Sequence, residues 1–116
     1  MLQALPFEGT IKVRNKGVDV TLLADKDTAE LAFAASRVLV VCGISTAVLE
    51  ITCWDPIDTR ILSYYEQTTQ GIIAMNDTIW EAVRPYLAAS TPFERRPEGG
   101  KDALIAAARR MSGRKK

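Results

Sequence analysis

The stretch TIKVRNKGVDVTLL, Thr10 to Leu23, decides the fold. Ile11 and Val13 alternate with Thr10, Lys12 and Arg14, and Val18, Val20 and Leu22 alternate with Asp19 and Thr21. An alternation of period two belongs to a strand with one buried and one wet face. Asn15-Lys16-Gly17 between the two runs is a short turn whose glycine tolerates positive φ, so the stretch is expected to form a β-hairpin.

Downstream, Asp27-Thr28-Ala29-Glu30 has the spacing of a capping box, and a helix is expected to follow. Leu31, Ala34, Ala35, Val38 and Cys42 share one face, with Gly43 as the stop. Phe33, Val40 and Val41 fall elsewhere, which makes that helix apolar nearly all round and largely buried. Val38-Leu39-Val40-Val41 admits a second reading, a β-branched strand turning at Gly43. Thr46 to Trp54 alternates again and reads as a third strand. Asp55-Pro56 opens a helix as N-cap and N1, with a stripe of Ile57, Ile61, Tyr64, Tyr65 and Thr68 that is expected to extend as far as Met75. Thr78 and Glu81 form a second capping box before the stripe Ile79, Val83, Tyr86 and Leu87, in which Pro85 kinks or ends the helix.

The expected order is therefore β-β-α-β-α-α. It describes a small two-layer α+β domain, with a hairpin plus a third strand packed against helices. If the second and third strands are parallel, their connection is a right-handed crossover. At 116 residues one domain is expected, spanning residues 1–92, with its boundary at Ser90-Thr91-Pro92.

Charge supports that boundary. Residues 94–116 hold eight basic and three acidic side chains, a net of +5, while residues 1–93 hold seven basic and eleven acidic, a net of −4. Residues 93–116 are accordingly expected to be a basic flexible tail. In it, Pro97-Glu98-Gly99-Gly100 is a joint and Asp102 caps a short amphipathic helix, Ala103 to Met111. The candidate partner-binding residues are Arg95, Arg96, Lys101, Leu104, Ile105, Arg109, Arg110, Met111, Arg114, Lys115 and Lys116. Leu104, Ile105, Ala108 and Met111 would form an apolar docking face, and Arg109 and Arg110 favour the helix C-terminus.

Catalytic chemistry is sparse. The chain has no histidine, which removes the commonest general base and metal ligand. Cys42 and Cys53 are eleven apart and lie in apolar runs, so two reduced, buried thiols are expected rather than a zinc site. Glycines are scattered without a phosphate-cradling motif. Asp55 reads as a cap and Asp58 as a first-turn charge. Arg60 and Glu66 read as a solvated helix face. The Tyr64-Tyr65 pair could form a binding patch, but its spacing puts at least one ring in the core; Trp54 and Trp80 read as partly buried core residues. No export signal or membrane-length apolar run is seen, and a soluble, cytoplasmic protein is expected.

The expected function is a small non-catalytic protein-binding or assembly protein whose basic tail docks on another protein or on a second copy, giving a homo-oligomer. Accessory or structural proteins of phages and mobile elements share this profile, by analogy. The alternative is a nucleic-acid-associated protein that contacts phosphates through the tail without sequence preference. Neither a cofactor, a metal, a membrane nor a small-molecule substrate is expected.

Overall fold

The computed structural model describes residues 11–52 and 57–113. The chain forms a small α+β domain with five strands, four helices and one 3-10 turn among the described residues. The strands are β1 (Ile11–Asn15), β2 (Val20–Ala24), β3 (Thr46–Ile51), β4 (Ile72–Ala74) and β5 (Phe93–Arg95). The helices are α1 (Ala29–Val41), α2 (Thr59–Thr68), α3 (Asp77–Val83) and α4 (Gly100–Ser112), with the 3-10 turn Arg84–Tyr86 after α3.

One sheet holds all five strands in the order β1-β3-β2-β4-β5. β1 is antiparallel to β3, with Ile11 opposite Ile51 and Val13 opposite Leu49. β3, β2, β4 and β5 are mutually parallel. The expected hairpin does not form, because β3 lies between its two strands. The cause is burial: all five residues of β2 and all six of β3 are buried. A strand hidden on both faces belongs in the middle of a sheet, not in a half-wet hairpin. The alternation expected for Thr46 to Trp54 fails for the same reason. Gly17 is indeed required, but for close approach rather than positive φ. A Cβ there would stand 2.3 Å from the Thr46 carbonyl carbon.

Helices cover both faces of the sheet. On one face Arg14, paired with Glu50, reaches Glu30 of α1, and Glu94 on that same face reaches Arg110 of α4. Thr21 on the opposite face bonds Thr69 at the end of α2, and Phe93 and Arg95 pack on Trp80 of α3. The chain steps one way from β2 to β3 and the other way from β3 to β4, and its helices change face with that direction. A constant crossover hand requires this switch.

Local signals shift accordingly. Val38 to Val41 is helical. α1 buries Ala29, Ala32, Ala35, Ser36 and Leu39, so the expected face is rotated and Val40 and Val41 are exposed. Asp27 is not its cap. Asp25 Oδ1 instead accepts from the backbone N–H of Asp27 and Thr28 and from the Thr28 hydroxyl. Asp58 caps α2 by accepting from Arg60 N and Ile61 N; Asp55, Pro56, Cys53 and Trp54 lie outside the described residues. α2 ends at Thr68, and the stretch expected to extend it supplies β4. Asn76, not Thr78, caps α3 through Ile79 N. The helix gives way to the 3-10 turn around Pro85, as its missing N–H demands. Cys42 is an exposed free thiol rather than a buried one.

The boundary expected at residues 92 and 93 does not separate core from tail. Phe93–Arg95 pairs with Ile72–Ala74, and Leu104, Ala108 and Met111 are fully buried. α4 starts at Gly100, with Gly99 as its N-cap; their φ values of +75° and +119° need glycine, and Asp102 lies inside the helix rather than at its cap. The apolar spacing read as a docking face is the face that closes the domain's own core.

The packing sets three stability outcomes. Leu104→Ala and Met111→Ala should each cost about 2–5 kcal/mol in urea unfolding, the usual range for truncating a buried Leu or Met. A chain ending at Phe93 should show no cooperative thermal transition. Gly17→Ala should be destabilising despite its one added methyl group, because the obstructing atoms are backbone.

Candidate functional site

Three basic residues of the C-terminal segment, Arg95, Arg96 and Arg110, are held by specific partners in the fold. Arg110 makes a two-pronged pair with Glu94, at 2.9 and 3.1 Å. This pairing raises the Arg110 pKa above its ordinary value. Arg95 meets Asp77 at 3.2 Å and stacks 4.1 Å from the Trp80 ring centroid. Trp80 is itself stacked on Phe93, with Arg84 5.5 Å from its centroid. Arg96 donates through Nε to the Met75 carbonyl. Lys101 and Arg109 are exposed, and Ile105 is half-buried against the core. Leu104 and Met111 have no exposure to offer a partner. Arg114, Lys115 and Lys116 lie outside the described residues. The structure therefore does not gather the candidate residues into one surface.

Two other places collect polar or apolar groups. The first is at the carboxyl ends of the parallel strands, where ligands bind in many open α/β sheets. Asn76 donates to Asp25 Oδ2 at 3.0 Å, bridging the loops that leave β4 and β2. Beside them is a cleft of about 410 Å³ lined by Asp25, Lys26, Asp27, Glu50, Ile51 and Thr52. Glu50 is buried there and accepts from Arg14 at 2.6 Å, and Arg14 also reaches Glu30 at 3.4 Å. The Glu50 hydrogen bond raises the Arg14 pKa, burial opposes it, and the weaker hydrogen bond to Glu30 adds to the rise. Asp25 is governed by opposing causes. Burial pushes its pKa up, but hydrogen bonds from Asn76, Thr28 and the Asp27 backbone outweigh it and hold the carboxyl below the usual 3.8. Among the described residues no group of three or more His, Cys, Asp and Glu side chains is arranged to hold a metal ion.

The second is a groove of about 800 Å³ between β1 and α2, lined by Ile11, Lys12, Val13, Asp58, Arg60, Ile61, Tyr64 and Tyr65. The tyrosine pair divides its work as its helical spacing implies. Tyr65 is buried, while Tyr64 is 60% exposed and meets it edge-on at 4.9 Å. Burial raises the Tyr65 hydroxyl pKa, with a further rise from Tyr64. Val13, 37% exposed, adds an apolar wall. Glu66, expected on a solvated face, instead binds the Ala88 N–H and the Thr91 hydroxyl and anchors the loop before β5. Sequence reasoning noted the tyrosines but missed the groove, because β1 reaches α2 only once β3 has separated it from β2.

With this geometry in view, comparison with known proteins reports on the fold alone. No family model matches the chain. No curated protein matches it either. Among solved structures, a split-gene transketolase described as an inactive beta4 tetramer matches over 90% of this chain and 41% of its own, with 17% identity and a TM-score of 0.73. A 2-oxoglutarate:ferredoxin oxidoreductase from Magnetococcus marinus matches over 94% of this chain and 21% of its own, with 12% identity and a TM-score of 0.74. The chain thus shares a fold with part of each of these enzyme chains and spans less than half the length of either. No helix among the described residues is long and apolar enough to cross a membrane.

The Asp25–Asn76 bridge gives a pH signature. A carboxyl whose folded pKa is depressed contributes stability above its unfolded value and loses it as pH falls through the folded value. Asn76→Ser retains a capping oxygen for Ile79 N and removes the amide donor to Asp25. The variant should be less stable than the parent at neutral pH, with the gap narrowing as pH falls below 3.8. Parallel urea titrations across that range measure it, and a gap independent of pH would mean the amide does not act through Asp25.

Proposed function

We propose that this protein is a non-catalytic protein-binding or assembly domain that acts in the cytoplasm on another protein or on a second copy of itself. The observation that carries this reading is the groove between β1 and α2. It is apolar, it sits at an edge of the sheet, and it keeps the exposed ring of Tyr64 beside Val13. Tyrosine and arginine dominate the energetics of protein interfaces, and this groove holds two of the first and one of the second. The docking element differs from the one expected from sequence, because the apolar side of α4 is consumed by the core.

Tyr64→Glu on one side, and Lys101→Ala with Arg109→Ala on the other, test this reading. If the domain docks proteins through the groove, proteins that co-purify with it from its native host should be lost with Tyr64→Glu and retained with the double variant. A nucleic-acid protein would behave in reverse, with retention on nucleic acid falling steeply with salt in the parent and weakened by the double variant. Co-purification unchanged by either variant would refute the proposal.

A further inference from the structure

We infer that the outward face of α1 is a self-association surface, on which two copies of this chain pair with their α1 helices antiparallel. This surface does not depend on the groove proposed above, since α1 and α2 lie on opposite faces of the sheet. A helix that covers a sheet ordinarily turns charged and polar side chains to water. α1 departs from that pattern. Its buried side centres on Ala32, Ala35 and Leu39, which turns Glu30, Ala34, Arg37 and Val41 outward. Val41 is 85% exposed, Val40 beside it is 62% exposed, and Val38 one turn back is exposed as well. The last turn, Val38 to Val41, contains no charged side chain. Three exposed valines within one turn make a contiguous apolar patch, which marks an interaction surface where single scattered residues would not.

The charges on this face name the occupant. Glu30 and Arg37 stand about two helical turns apart on one line. The Glu30 side chain is 84% exposed and gives only Oε2 to Arg14, at 3.4 Å. Arg37 is exposed, stands 5.9 Å from the centroid of its own Phe33 ring, and has no carboxylate partner among the described residues. A two-fold axis makes each contact twice, so a self-pairing face must complement itself. With antiparallel helices and the axis between positions 33 and 34, each Arg37 meets the partner's Glu30. Each Phe33 then lies beside the partner's Ala34, whose small side chain lets the helices approach. Val38 and Val41 are covered by the start of the partner's helix. A parallel pair would instead set like charge on like charge at both positions, which is repulsive. The 13 residues of α1 span about 20 Å. A face of that length and roughly 10 Å width falls short of the roughly 800 Å² per partner of a standard interface. The dimer is accordingly weak and reversible, with a Kd of about 100 µM.

The test is sedimentation equilibrium of the full chain from about 10 µM to about 1 mM, a range that brackets the expected Kd. A reductant keeps the exposed Cys42 from cross-linking copies. The apparent mass should rise from that of one chain toward that of two. Val41→Asp should weaken the dimer about ten-fold or more with an unchanged melting temperature, because Val41 makes little contact within its own domain. Arg37→Glu and Glu30→Arg should each weaken it about ten-fold, and the two together should restore it to near the parent's strength, since the exchanged pair is again complementary. Tyr64→Glu, on the opposite face of the sheet, should leave it intact. A chain that stays monomeric at about 1 mM would overturn the inference. So would a dimer indifferent to Val41→Asp, or charge variants whose combination is no stronger than either alone. Self-association lost with Tyr64→Glu and kept with Val41→Asp would place it in the groove, refuting the α1 surface while the groove reading stands. A dimer with the expected α1 variants, beside co-purification that Tyr64→Glu leaves unchanged, would uphold this surface and refute the groove.

Discussion

The requirement that two strands be hidden on both faces shapes this domain. β2 and β3 carry apolar or uncharged residues at almost every position, and only Glu50 brings a charge inside, paired with Arg14. A strand of that kind cannot rest in a sheet with one solvated face. It needs neighbours on both sides and a helix layer above and below. β1 and β4 supply the neighbours, α1 and α2 begin the two layers, and α3 and α4 complete them. Helix α4 is thereby drawn into the core, and its basic residues end up where the buried face leaves them.

Much of this was legible in the residues. β1, β2, β3 and three of the helices lie within a few positions of where periodicity places them, and the small α+β class follows from their order. Pairing was not legible. Asn15-Lys16-Gly17 has the chemistry of a hairpin turn, and nothing local reveals that Gly17 is needed instead to pass the backbone of Thr46. β4 and β5 are three residues each, too short for any alternation to register. The caps of α2 and α3 shifted by two or three residues because Asp58 and Asn76 each sit near another plausible cap, and the Asp27 box gave way to an Asp25 that ties the loop before α1.

The candidate site was legible only in part. The charge switch at residue 94 is real in composition, but composition does not tell a solvated arginine from one paired to Glu94 or stacked on Trp80. The apolar stripe of α4 was read correctly as a stripe and wrongly as a surface. Tyr64 and Tyr65 were separable by helical spacing, while their neighbours Ile11 and Val13 are some fifty residues away in the chain and reach them only through the sheet order.

The interposed position of β3 also governs how the chain folds during its synthesis. β1 and β2 emerge from the ribosome first, yet the strand that joins them begins about thirty residues after β1 ends. Domains built on such distant pairings close slowly, since loop entropy is spent before contacts reward it. The valine- and leucine-rich β2 then waits for Leu104 and Met111, among the last described residues to be made. Until they arrive, the nascent chain carries bare strands, the species on which chaperones act and from which aggregates grow.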